Sequence, residues 1–235
     1  MAKVDPRYLD GTYESTNPDW HEADAGWKAA HALSLLERNH LRPGSVCDIG
    51  CGTGGVIKAL AASPGIEATA VGFDVSEHIV EMAEASASPG VSFKVWPGPD
   101  TEERFDVALV MDVVEHVPDY LGFLEEIAGI AERHIFHLPL DMNAQGVARM
   151  APLMHARRSV GHLHYFSRET AIASLEYAGY EIRDWKFTPS YETLAGKSGR
   201  RRAFDSVRSG LFRINPERTV DVLGGYSLMV LTTRP

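Results

Sequence analysis

One stretch constrains this chain more than any other: Ser45-Val-Cys-Asp-Ile-Gly-Cys-Gly-Thr-Gly-Gly55, followed by Val56-Ile-Lys-Ala-Leu60. A short apolar run gives way to clustered glycines and then to sequence of helical period. That is the order strand, tight loop, helix N-terminus. Glycines at 50, 52 and 54 allow positive φ and a close approach of backbone to ligand. The helix start behind them offers unpaired N–H groups and the positive end of a dipole.

Gly50, Gly52 and Gly55 also satisfy G-x-G-x-x-G, so spacing alone does not separate a dinucleotide from another ligand. Charge does. Asp48 lies at the end of the strand, where a carboxylate would repel a pyrophosphate in a partly desolvated cleft. It suits a ligand carrying an ammonium and a sulfonium, as S-adenosylmethionine (SAM) does. Thr69-Ala-Val-Gly-Phe-Asp74 reads as a second strand ending in an acid, where a carboxylate can accept ribose hydroxyls. The pair of acids favours SAM over NAD.

Asp48-Ile-Gly-Cys-Gly-Thr-Gly54, Gly72-Phe-Asp74 and Phe105-Asp-Val-Ala-Leu-Val-Met-Asp-Val-Val-Glu-His116 together resemble the ordered motifs of class I SAM-dependent methyltransferases. The resemblance implies an α/β, Rossmann-like, doubly wound, seven-stranded, mostly parallel sheet with helices on both faces and an antiparallel last strand. It implies SAM as cofactor. Asp48, Gly50, Cys51, Gly52 and Gly54 would hold the methionine part, Asp74 and Val75 the ribose side, and Asp112 would lie under the ligand.

Length admits one full α/β domain over residues 1–235, with an N-terminal lid and helix in 1–40 and a helical insertion at 190–223. A net charge of −9 argues against nucleic acid as the default partner. The two cysteines, Cys47 and Cys51, both sit in the loop motif and give no disulfide framework. With no signal peptide pattern and no apolar run of membrane length, a soluble cytoplasmic protein is expected.

Along the chain, helical period runs from about Ala23 to Asn39. Trp20 and Trp27 are expected at a helix–sheet interface, and Tyr13 is the candidate lid residue. Helices are expected near 54–62, 77–86, 118–132 and 167–178. Strands are expected at 68–73, 91–96, 105–111, 134–140, 180–187 and 226–232. Ser167 and Gly179 bound the 167–178 helix. Asp100 and Trp96 are alternatives beside the adenine. The segment 190–223 holds Lys197, Arg200, Arg201, Arg202, Arg208 and Arg213. It reads either as a solvated helix or as an attractor for an anionic substrate or membrane surface.

Methyl transfer from a sulfonium needs alignment and, for a hydroxyl acceptor, a base. Asp112, Glu115 and His116 stand at i, i+3, i+4 and would share one side of a helical turn. This D-x-x-E-H pattern is similar to the metal-binding E-x-x-E-H of ubiquinone-pathway O-methyltransferases and of small-RNA 2′-O-methyltransferases. By that resemblance Asp112, Glu115, His116 and His162 are a candidate set for Mg, Mn or Zn. Without metal, His116 or His137 is the candidate base, with Glu115 beside it. The reading is a methyltransferase acting on a small-molecule acceptor, most simply at oxygen. An RNA 2′-O-methyltransferase and a non-catalytic subunit of the same fold are the alternatives.

Overall fold

The apolar runs pair into one sheet. The structure, a computed structural model, describes residues 22–98, 101–193 and 198–234. Its strands are β1 (Ser45–Ile49), β2 (Thr69–Asp74), β3 (Val91–Val95), β4 (Phe105–Met111), β5 (Ala131–Pro139), β6 (Glu181–Thr188) and β7 (Ser227–Thr233). They lie in the order β3-β2-β1-β4-β5-β7-β6. The pairs among β1 to β5 are parallel, and β7 runs antiparallel between β5 and β6. Strand order reverses between β1 and β4, so a crevice opens at the C-terminal ends of these two strands.

The helices are α1 (Glu22–Arg38), α2 (Gly55–Ala61), α3 (Glu77–Ala85), α4 (Tyr120–Ile127), α5 (Ala144–Arg149), α6 (Ala151–His155), α7 (Arg168–Tyr177), α8 (Gly199–Ile214) and α9 (Pro216–Leu223). In α1, Ala25, Ala29, Ala32, Leu35 and Leu36 recur at helical spacing and are buried. Ala29, Ala32, Leu35 and Leu36 pack on Val46, Val107, Leu109, Ile135 and Met229 of the sheet. Glu22 and Asp24 lie in the first turn and Arg38 in the last, as the helix dipole favours. Arg38 fixes the far end by donating to both carboxylate oxygens of Asp184 on β6, at 2.7 Å each. The other face of the sheet carries α4 and α7 through Phe123, Leu124, Ala171 and Leu175. Ser167 caps α7 in a reciprocal box with Thr170, and Gly179 follows with φ 87°.

Two expected boundaries move. The helix expected over 118–132 stops at Ile127, and β5 begins at Ala131 instead of His134. Ala131 already pairs with Phe105 and Arg133 with Val107, so ladder bonds claim residues whose charges also fit a helical period. The insertion is helical, as expected, but not wholly solvated: Asp205 and Arg208 of α8 and Thr219 and Val220 of α9 are buried. Tyr13, Trp20, Asp100 and Lys197 fall outside the described residues. Among those described, no helix is long and apolar enough to cross a membrane.

Candidate active site

The loop after β1 forms as its glycines dictate. Gly50, Gly52 and Gly54 have φ of 75°, 55° and 80°. Gly50 N and Cys51 N both donate to Phe73 O, tying the loop to β2. At Gly54 the requirement is steric as well as conformational, because a Cβ would clash with the edge of the buried Phe93 ring. Gly54→Ala is expected to destabilise by about 2–4 kcal/mol. Gly90→Ala, at φ 82° with nothing within 4 Å of its Cβ, should show the backbone strain alone, about 1 kcal/mol. Equal effects in thermal denaturation would remove the clash with Phe93 from the explanation.

Two acids of β1 and β2 face this loop. Asp48 is 1% exposed. Burial, reinforced by Asp74 and opposed by Lys28, pushes its carboxyl up to about 7. Asp74 accepts from Gly52 N at 3.0 Å and from Ser76 N at 3.1 Å. Burial raises its carboxyl too, against those N–H donors. The two backbone donors fix its rotamer and leave acceptor capacity over.

Directly after β4 comes Asp112, a non-glycine residue in the left-handed region at φ 56°. Its Oδ2 meets Lys28 Nζ at 2.8 Å, and its Oδ1 accepts from His137 Nδ1 at 2.6 Å. Lys28 also pairs with Asp24 at 3.2 Å. Although burial opposes it, His137 and Lys28 hold Asp112 well below the usual carboxylate range. Lys28 is raised above its ordinary value by Asp112 and Asp24 despite its burial. His137 Nε2 lies 2.9 Å from Thr188 Oγ1, so both its ring nitrogens are engaged inside the protein. Asp112 and Thr188 thus occupy both ring nitrogens of His137.

A separate cluster forms past the turn. Val114–His116 is a single 3-10 turn in which Glu115 is completely buried. Leu163 N and His164 N both donate to Glu115 O, at 2.7 and 3.1 Å, which brings His162 beside it. Ligand atoms of Glu115, His116 and His162 lie within 4.8 Å of one another. His162 Nδ1 is held by Asp141 Oδ2 at 2.6 Å. Neither carboxylate oxygen of Glu115 has a hydrogen-bond partner. Burial, then the negative charges of Asp112 and Asp141, push this carboxyl well above its ordinary range. The expected grouping of Asp112 with Glu115 and His116 is thereby corrected. The left-handed backbone at Asp112 breaks the helical spacing, and Lys28 and His137 take its carboxylate.

One cavity of about 590 Å³ joins these parts. It runs from the glycine loop, Asp48, Asp74 and Val75, past Asp112, Glu115, His116 and His162, to Tyr191, Arg201 and Arg208 of the insertion. Trp27 and Trp96 line it as well. Trp27 is therefore more than interface filling; it stands edge-on to His31 and His137. Sequence reasoning missed Lys28, since a lysine amid alanines on a helix reads as a solvated charge. Its spacing from Asp24, i to i+4, was the available signal.

A glycine loop between β1 and α2, an acid closing β2 and a polar cluster after β4, all at the switch point of a seven-stranded sheet with β7 reversed, define a class I SAM-dependent methyltransferase. The chain belongs to the methyltransferase domain family, whose model matches residues 20–184. It is 28% identical over 160 residues to the ubiquinone biosynthesis O-methyltransferase of Proteus mirabilis, covering 60% of this chain and 63% of that one. The enzyme of the same name from Xanthomonas campestris is 30% identical over 124 residues, 47% of this chain and 51% of that one. The matched region thus spans between half and two thirds of these relatives. Magnesium protoporphyrin IX methyltransferase of Synechocystis with bound S-adenosylhomocysteine (SAH) superposes with a TM-score of 0.59 at 18% identity, covering 89% of this chain and 83% of that one. A chain from the complex of the Haloferax volcanii Trm112 methyltransferase activator with a methyltransferase gives 0.61 at 18% identity, covering 100% and 99%. At these identities the superpositions bear on the fold.

Proposed function

We propose that this protein transfers the methyl group of SAM to a hydroxyl oxygen of a small-molecule acceptor. The observation that carries the reading is the single cavity shared by the glycine loop, Asp48 and Asp74 with Glu115, His116 and His162. Oxygen as the acceptor atom is supported by the relatives, which are named O-methyltransferases. The acidic end suits the ammonium and sulfonium of the donor, and the acceptor capacity left on Asp74 supports a role toward the ribose hydroxyls. The acceptor enters from the side of α8. His116 takes the proton of its hydroxyl as the oxygen attacks the methyl carbon. Asp112, clamped by Lys28 and His137, fixes the floor between the two.

Calorimetry with SAM and SAH, followed by mass spectrometry of a panel of phenols and catechols, tests this. Binding of SAH with a methylated product supports it; a folded protein that binds neither nucleoside sinks it. His116→Gln is expected to lower kcat by about 10²–10⁴-fold with SAM affinity unchanged.

A second reading, in which His116 is a ligand and not the base, has a divalent cation held by Glu115, His116 and His162. The buried carboxylate of Glu115, which has no hydrogen bond and stands 3.8 Å from His116 Nε2, and the carboxylate-oriented imidazole of His162 fit a ligand set. Such a cation would supply acidity to a bound hydroxyl. Titration of the protein with Mn or Zn should show one saturable site that His162→Ala abolishes. Equal uptake by both proteins would place the metal elsewhere.

A further inference from the structure

Charge is segregated along the cavity, and its far end is built for an anion. The donor end carries carboxylates from α1, β1, β2 and the turn after β4, with Lys28 as the cation among them. The opposite end is arginine. Arg208 and Arg201 of α8 line the main cavity, and with Arg149 of α5 they also line a smaller one that opens beside it.

Arg208 is held as a fixed group. It is 8% exposed. Its guanidinium lies 4.7 Å from the ring centre of Tyr191 and 4.8 Å from that of Phe204. Its Nη1 donates to Asp205 at 3.1 Å, while its buried Nε has no hydrogen-bond partner. Gly225 makes the arrangement possible, since a Cβ there would come within 2.8 Å of Arg208 Nη1. Aromatic faces and a missing side chain thus hold a planar donor fork rigid at the cavity wall. Asp205 balances one of the three guanidiniums, and Arg149 and Arg201 are exposed. A neutral or cationic acceptor would gain nothing from that surplus. An oxyacid group meets charge-assisted, directional donors there.

We infer that the acceptor carries an anionic oxyacid group, a carboxylate or a phosphate ester, which docks on Arg201 and Arg208 while its hydroxyl reaches toward His116. This rests on the methyl-transfer reading for the direction of the hydroxyl, but the anion subsite is testable without it. Arg201 and Arg208 would be specificity residues, acting on acceptor affinity and leaving the donor untouched.

The full chain, with and without SAH, is titrated with 3,4-dihydroxybenzoate, its methyl ester and phenyl phosphate. The acid is expected to bind about tenfold tighter than the ester. Arg201→Gln should bring the two within about threefold, with SAH affinity unchanged. Arg208→Lys, which keeps the charge but not the fork, should weaken the acid selectively. Stronger binding of phenyl phosphate than of the acid assigns the subsite to phosphate esters. An ester that binds as well as the acid overturns the inference. So does a preference that survives both substitutions, or binding of SAH with none of the three probes bound. A preference for the acid in a protein that does not bind SAH would leave the anion subsite standing and defeat the methyl-transfer reading instead.

Discussion

Replacing Asp48 by asparagine is expected to stabilise the ligand-free protein at about pH 8 and to weaken SAM binding at least about tenfold. The two effects have one cause. Asp48 is completely enclosed, and burial lifts its carboxyl from 3.8 to about 7. The folded protein therefore keeps this proton up to about pH 7, whereas the unfolded chain gives it up near 4. Stability from this group is full below about pH 4 and falls as the pH rises through about 7, where it levels off. The loss amounts to on the order of 4 kcal/mol for a fully buried acid, before relaxation. Asparagine removes it. A cationic donor reverses the preference, since it favours the ionised form. SAM affinity should rise with pH up to about 7, and binding below that pH should release a proton. Calorimetry in two buffers of different ionisation heat reads the proton directly. Affinity that is flat with pH, or an asparagine variant less stable than its parent above neutrality, would turn the carboxylate away from the donor.

Lys28→Met should cost stability heavily, at about 3 kcal/mol, with a fall in Tm on the order of 10 °C. The ammonium lies between Asp24 at 3.2 Å and Asp112 at 2.8 Å, with its side chain 9% exposed. Methionine fills the volume but leaves both carboxylates facing each other across it. Asp112 retains His137, and its own side chain is 27% exposed, which keeps the loss below that of a fully sealed pair. Because the damage is unpaired charge and not lost packing, Asp112→Asn in the same chain should restore more than half of it. A double-mutant cycle in denaturant measures that coupling. Strictly additive losses would show that Lys28 stabilises α1 by packing alone.

Much of this was readable beforehand because the rules involved are local. The glycine loop follows from backbone freedom at Gly50, Gly52 and Gly54. β4 falls on Phe105–Met111 because an apolar run of that length between polar flanks has one outcome in a parallel sheet. Ser167 and Gly179 bracket α7 by capping chemistry that needs no tertiary context. The failures share the opposite character. Ala131–Arg133 joins β5 because Phe105 and Val107 happen to lie alongside. Lys28 is buried because Asp112 arrives from β4 to meet it. Arg208 is fixed because Gly225 leaves it room. Each depends on a partner far away in sequence, and spacing within a segment carries no record of it.

The placement of β7 has a further meaning. Thr188, the last residue of β6, sits opposite Ser227, the first of β7. The chain between them leaves the sheet and returns to it at one spot, carrying Arg201, Arg208 and Tyr191 with it. Such an excursion can grow, shrink or be exchanged with little entropic penalty and no change in strand register. On the acceptor reading proposed above, a chimaera that exchanges residues 189–226 but keeps the core residues Tyr191, Val220 and Tyr226 should change selectivity while leaving donor binding in place.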